Sequence, residues 1–367
     1  MKNTFGNHLC VTLFGESHGS CIGAVLDGIA PGIEIDEEYI RARLAQRRPA
    51  GAISTARREQ DDFSIVSGVF EGKTTGAPLC VIIPNADTNS KSYQKDILRP
   101  GHADFTAACK YHGYQDFRGG GHFSGRLTAP LVALGAIVQL ALEQKGILIG
   151  SHISTLAGVR DAEFSDLEAG IRALNTKAFP TLCDEAGENM KEQIRLAAQA
   201  GDSVGGILES VILGLPAGLG EPWFDTVEGL LSHALFSIPA VKGVEFGEGF
   251  GFADLRGSQA NDAFCIEDGR IRTVTNRNGG INGGITNGMP VLFRTVIKPT
   301  PSIFMEQDSV NPVTMEPQRL QIQGRHDPAI IHRARVVVDS VAALCIADLL
   351  VGRFGTDYLS SASAAGN

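Results

Sequence analysis

The chain predicts an α+β fold, and three features of its residues carry that reading. Helix signals alternate with short strand signals along the whole length. Two of the helices are apolar nearly all round, which marks them as core elements rather than surface ones. Glycine-rich turns bracket the strands, and one bracketed unit occurs twice.

In chain order, residues 8–14 read as a strand, and the apolar stretch Ile22 to Leu26 reads as a buried one. Residues 36–48 predict a helix with Asp36 as its N-cap, glutamates in its first turn and Pro49 as its stop. Residues 128–145 predict a buried helix, with Pro130 in the first turn and Gly146 at the end. Ser165-Asp166-Leu167-Glu168 has the form of a capping box ahead of another helix. Residues 204–213 and 291–297 read as strands, and 334–351 as the second buried helix.

The repeated unit begins at Gly15-Glu16-Ser17-His18-Gly19, continues through an apolar strand, and closes at Gly28-Ile29-Ala30-Pro31-Gly32. Its echo is Gly201-Asp202-Ser203-Val204-Gly205, an apolar strand, and Gly214-Leu215-Pro216-Ala217-Gly218. A duplicated supersecondary unit explains the match. Val204 stands where the first copy has His18, so the scaffold occurs twice and the ionisable ring once.

With 367 residues, 43% of them hydrophobic, the chain can bury a sizeable core, and length alone suggests about two domains. The net charge of −9 argues against nucleic acid as a partner. Seven cysteines without a CxxC pair point to neither a disulfide framework nor a zinc cluster. No apolar run is expected to approach the ~18 residues of a membrane span, and the first fifteen residues lack a long apolar signal segment. The expectation is a soluble cytoplasmic protein with a loose final stretch, Ser360 to Asn367.

The chemistry-bearing residues are concentrated. Glu16, Ser17 and His18 place an acid, a hydroxyl and an imidazole side by side at a strand end, where rigid support favours acid–base work. Arg41, Arg43, Arg47, Arg48, Arg57 and Arg58 fall within eighteen residues, and Arg325, His326, His332, Arg333 and Arg335 form a second group. Two such clusters in a net-negative chain point to a polyanionic small molecule, since guanidinium matches phosphate and carboxylate. Gly119-Gly120-Gly121-His122-Phe123-Ser124-Gly125-Arg126 leads into a helix start, where backbone N–H groups can meet an anion. His102 sits in a proline–glycine loop. No metal-ligand spacing is present. Gly68 to Thr74 resembles a P-loop but has one residue too few between its glycines, and no Mg²⁺ site accompanies it, so phosphoryl transfer is disfavoured.

Taken together, GESHG at 15–19, RPGHAD at 99–104, GGGHFSGR at 119–126, KPTPS at 298–302 and GRHDP at 324–328 resemble chorismate synthase, in that family's order from about residue 3 to 352. The resemblance implies one domain over residues 1–354, with 355–367 as a flexible tail, in place of the two domains suggested by length. It implies a β-α-β sandwich, a helical layer between two antiparallel sheets with internal pseudo-duplication, and a homotetramer without nucleic-acid or membrane partners. It implies a lyase that converts 5-enolpyruvylshikimate 3-phosphate to chorismate and phosphate, requiring reduced FMN without net redox change.

On the same resemblance, Arg47, Arg126 and Arg325 would bind the substrate or the nearby flavin, with Ser17 alongside. His18 would donate a proton beside the flavin, and His102 would protonate or stabilise the leaving phosphate. Asp327 would assist the flavin N5 proton as the C6–H bond breaks. FMN contacts would come from His122, Phe123, Ser124, Pro239, Ala240, Gly283, Lys298, Pro299, Thr300, Pro301, Ser302 and Arg325. No metal is implied.

Several positions depart from the family pattern. His122 replaces an arginine, Pro239-Ala240 replaces Asn-Ala, Asp339 replaces a glutamate, and an arginine expected near Ile53 is missing, with Arg57 or Arg58 as its substitute. The His-Phe-Ser-Gly-Arg form occurs within the family, so these read as subgroup differences. They also motivate the alternative of a non-catalytic flavin- or phosphometabolite-binding relative. Retention of Ser17, His18, His102, Arg325 and Asp327 argues against that alternative, because a binder has no use for proton-transfer groups. No reductase domain or dinucleotide fingerprint accompanies the motifs, so the reductant is expected to be external, with NADPH as its candidate source.

Overall fold

Two five-stranded antiparallel sheets lie on either side of a helical layer in the computed structural model, which describes residues 2–49, 53–54, 60–86, 97–322 and 326–360. The first sheet has the order Thr4–Phe5, Cys10–Gly15, Cys21–Asp27, Leu79–Pro84, Ser64–Ser67. The second has the order Val241–Phe246, Val291–Ile297, Gly206–Leu213, Leu148–Leu156, Val159–Arg160. Leu79–Pro84 and Val291–Ile297 bury alternate residues, the period-two pattern of strands with one covered face.

Two helices fill the space between. Thr128–Gln144 packs on Cys21–Asp27 and Leu79–Pro84, Ile331–Phe354 packs on Leu148–Leu156 and Gly206–Leu213, and the two helices pack on each other. Each is buried nearly all round, as its composition predicts. The segment Arg118–Gln144 is long and apolar enough to cross a bilayer, which corrects the expectation that no such run exists. Most of it is buried in this layer.

Helix Glu37–Arg47 packs against both central helices. Asp36 caps it by accepting from the Tyr39 N–H at 2.9 Å, and Glu37 and Glu38 complement its positive end. Its buried stripe is Ile40, Arg43, Leu44 and Arg47, with helical spacing but half of it charged. One boundary is corrected. The cap of helix Leu167–Leu174 is Asp166, accepting from Ala169 N at 3.0 Å, rather than Ser165 of the expected capping box.

The duplication seen in the sequence is a duplication of structure. Each sheet takes two strands, a third after a helix, and a fourth that inserts between the second and third. Thr74 Oγ1 donates to Ala30 O at 2.6 Å and accepts from Ile33 N at 2.9 Å, while Thr74 O accepts from Gly32 N. In the second copy, Thr286 Oγ1 donates to Pro216 O at 2.7 Å and accepts from Leu219 N at 2.9 Å, while Thr286 O accepts from Gly218 N. Gly28 and Gly214 both have φ in the left-handed region, and a Cβ on either would stand 2.1 Å from the carbonyl oxygen of His8 or Gly146. Only glycine fits there.

Of the segment expected as a tail, residues 356–359 form a short 3₁₀ turn that buries Leu359, and the Tyr358 ring stacks on Phe354. Residues 361–367 lie outside the described residues.

Candidate functional site

A cavity of about 1660 Å³ opens where the motifs converge. Pockets for a single drug-sized ligand run to ~300–1,000 Å³, so this one has room for two. His18, Arg47, His102, His122, Phe123, Ser124, Arg126, Pro239, Ala240, Lys298, Pro301, Ser302 and Asp327 all line it. Among the described residues its wall carries Lys2, Arg47, Arg99, Arg126, Lys242, Lys298 and Arg333 against Asp104, Asp116 and Asp327. Seven cations facing three carboxylates, in a chain of net charge −9, give this wall a positive excess suited to an anionic ligand.

His18 stands in the turn between strands Cys10–Gly15 and Cys21–Asp27 and is buried. The Ser17 hydroxyl lies 3.2 Å from Arg118 O and 3.0 Å from Gly119 O, and 3.0 Å from His18 Nδ1. Carbonyl oxygens can only accept, so the hydroxyl donates to them and accepts from Nδ1–H. This arrangement places the ring hydrogen on Nδ1. A Cβ on Gly119 (φ +59°) would lie 2.1 Å from His18 Cε1, so the glycine loop lies directly against the imidazole. Gly121 O accepts from Ser17 N at 3.1 Å, tying GESHG to GGGHFSGR. His122 reinforces the tie, its Nδ1 donating to Gly15 O at 2.8 Å.

Arg47 and Arg126, from separate elements, meet on one carboxylate. Arg47 Nη2 donates to Asp61 Oδ2 at 2.9 Å, and Arg126 Nη1 donates to Asp61 Oδ1. Arg126 also donates to Asn85 Oδ1 at 3.2 Å and Pro84 O at 3.3 Å. Burial pushes the Asp61 carboxyl up, but the two guanidiniums outweigh it and hold the group below the usual carboxylate range.

On another wall, the RPGHAD loop packs against the KPTPS segment. His102 Nδ1 donates to Pro100 O at 3.2 Å, and its Nε2 lies 2.8 Å from Ser302 Oγ. Lys298 Nζ donates to Gly101 O at 2.8 Å, and Pro301 packs on Gly101. Burial, reinforced by the Arg99 cation, pulls the His102 imidazole down to about 4, so it is neutral at pH 7. Lys298 N donates to Ala240 O at 2.9 Å. Ala240 has φ +76°, a conformation that non-glycine residues adopt only when the surroundings impose it.

A third wall carries Asp327, which accepts from Arg333 Nη1; Arg333 Nε in turn donates to Arg47 O at 2.7 Å. His326 lines the cavity beside Phe304, ring centroids 5.1 Å apart, and burial lowers its basicity. Its Nε2 is buried with no partner among the described residues. Such an orphaned polar atom in a cavity wall suits a bound polar ligand.

The remaining sequence candidates fall elsewhere. Ser17 supports the wall from behind. Pro299 is exposed, and Thr300 O accepts from Ser203 Oγ at 2.7 Å; neither lines the cavity, although both adjoin residues that do. Gly283 is exposed in the turn between Ile281–Asn282 and Ile285–Thr286, outside the cavity lining. Arg325, Arg57 and Arg58 lie outside the described residues. The Gly68–Thr74 stretch is a short hairpin, Val69–Phe70 with Lys73–Thr74. No cluster of His, Cys, Asp or Glu able to hold a metal occurs among the described residues, and all seven cysteines are free thiols.

Sequence reasoning missed Asp61 and Asn85, whose residue types carry no signal apart from their partners. Arg333, His326 and Arg99 were visible as members of motifs or clusters, but nothing in the linear order ranked them above their neighbours.

A family model described as chorismate synthase matches residues 9–351. Chorismate synthase of Thermococcus kodakarensis is 46% identical over 351 residues, spanning 95% of this chain and 97% of that protein. Chorismate synthase of Dehalococcoides mccartyi is 46% identical over 354 residues, spanning 95% and 96%. A solved structure, "Crystal Structure of Chorismate Synthase", superposes with a TM-score of 0.75 at 29% identity, covering 95% of this chain and 94% of that one.

Proposed function

This chain belongs to the chorismate synthase family and is an enzyme of the shikimate pathway, a lyase; from that premise we propose that its cavity converts 5-enolpyruvylshikimate 3-phosphate to chorismate and phosphate with reduced FMN bound beside the substrate. The observation that carries the reading is the convergence of His18, His102, Arg47, Arg126 and Asp327, from five separate segments, on one cation-rich cavity.

The substrate carries a phosphate and two carboxylates. The 1,4-elimination breaks the C6–H bond, whose pair forms C1=C6, shifts the existing C1=C2 pair to C2=C3, and breaks the C3–O bond, whose pair leaves with phosphate. Arg47 and Arg126 supply fixed, bidentate-capable donors for the anionic groups. His102 faces the leaving phosphate. It is neutral before the substrate binds, and a neighbouring phosphate dianion favours its protonated form, so substrate arrival itself arms the donor. His18 holds or moves a proton at Nε2, its Nδ1 locked by Ser17. Asp327, held by Arg333, is the carboxylate that would assist the flavin N5 proton as the C6–H bond breaks.

The residues around the cavity fit a flavin. His122, Phe123 and Ser124 on one side and Pro239, Ala240, Lys298, Pro301 and Ser302 on the other mix apolar surface with donors suited to a ring and a phosphate tail. When bound, reduced FMN would supply electron density to the allylic system of the substrate. The reading also includes a homotetramer, a cytoplasmic location and an external reductant, NADPH being its candidate source.

The test is anaerobic turnover of the purified chain with 5-enolpyruvylshikimate 3-phosphate. Chorismate is expected with dithionite-reduced FMN and not with oxidised FMN. Turnover indifferent to flavin removes the proposed cofactor role, and binding without turnover under reduction favours the non-catalytic alternative.

A further inference from the structure

We propose that Asp61 is the positioning residue of the anion site: it holds the guanidiniums of Arg47 and Arg126 side by side so that both present to one bound anion. The inference rests on the functional reading above only for the identity of that anion. Three observations carry it. The Asp61 side chain is fully buried, and it takes one arginine on each oxygen, Arg47 on Oδ2 and Arg126 on Oδ1. Both arginines line the cavity, whereas Asp61 does not, which places the carboxylate behind them, away from the ligand. Asp61 also has φ +51°, a left-handed conformation that aspartate adopts at a cost, so the backbone is shaped to deliver this carboxylate.

The physical need is plain. Two guanidiniums converging in a buried wall repel each other, and their desolvation is costly unless a counter-charge accompanies them. Asp61 supplies that charge from the inner side. Arg48 Nε, at 4.0 Å from Asp61 Oδ2, is a more distant third cation around the same group. Arg126 is further fixed by Asn85 and Pro84 O, and Arg47 by the end of its helix. Anchoring both side chains before the ligand arrives removes an ordering cost from binding. The charge logic also sets a direction: a competitor for the arginines would weaken ligand binding, whereas a positioner strengthens it.

The experiment titrates wild type, Asp61→Asn and Asp61→Glu with inorganic phosphate by calorimetry and, separately, determines KM and kcat with reduced FMN. Asp61→Asn keeps the shape and removes the charge. It is expected to weaken phosphate binding and raise KM about tenfold or more, with kcat changed much less. Asp61→Glu keeps the charge, preserves the fold if Asp61→Asn does not, and is expected to weaken phosphate binding by an intermediate factor. A folded Asp61→Asn, or failing that a folded Asp61→Glu, with phosphate affinity within about twofold of wild type, or tighter, overturns the proposal. Because the phosphate titration does not require turnover, an inactive wild type sinks the functional reading while the titration still decides the role of Asp61.

Discussion

Replacing His18 by alanine is expected to lower turnover by about 10²–10⁴-fold, the usual contribution of a positioned acid–base group. The imidazole is in the cavity wall with Nδ1 held by Ser17, so on the proposed reading its loss removes the atom assigned to proton transfer. The fold is expected to survive. His18 occupies a turn between strands, and the duplicated unit carries Val204 at the matching position, where no ionisable ring is needed for the strand to form. The comparison is kcat with reduced FMN alongside the urea unfolding midpoint. A near-normal kcat would show that the ring serves packing against Gly119 rather than chemistry.

His102→Ala is expected to produce a loss of similar size, with a pH signature that separates it from His18→Ala. In the free protein the His102 ring is pulled down to about 4 and is neutral across the physiological range. On the proposed reading, a phosphate bound beside it is expected to raise that value, so the proton would be gained on binding and given up on leaving. The kcat profile, which reports the complex, should therefore fall as pH rises through the raised value, and kcat/KM, which reports the free protein, should place the same group lower. His102→Ala should abolish that limb of the kcat profile. A variant retaining wild-type kcat and its full pH profile would assign His102 to holding the Lys298–Ser302 segment instead.

How much of this was legible in the residues depends on whether the signal was local. The two apolar helices and the strand at 291–297 announce themselves because every neighbouring residue repeats the same message. The duplication was legible for the same reason, its glycines standing at turns where a side chain cannot fit. Helix Glu37–Arg47 shows where such reading stops. Its inward stripe includes Arg43 and Arg47, so by polarity it reads as a surface helix, and only the aspartates that meet it reveal otherwise. Those aspartates come from distant segments: Asp339 binds Arg43 at 3.1 Å, and Asp61 binds Arg47 at 2.9 Å. A buried ion cluster is a property of pairs, and pairs that close only on folding leave no mark on either segment alone. The five motifs supplied His18, His102, Arg126, Ser302 and Asp327, yet the pairings that orient them, His102 with Ser302, Arg126 with Asn85 and Asp327 with Arg333, had to be found in space. Gly283, a contact implied by the resemblance alone, stands in an exposed turn outside the cavity lining.

The central claim is that one cavity holds a flavin and a polyanionic enol ether together, between the imidazoles of His18 and His102. A crystal structure of the chain with reduced FMN and 5-enolpyruvylshikimate 3-phosphate tests it most directly. The expected result is an isoalloxazine ring against His122–Ser124 and Lys298–Ser302, with the substrate phosphate near His102 and its anionic groups on Arg47 and Arg126. Flavin or substrate bound outside this cavity, or the two bound without contact, would contradict it.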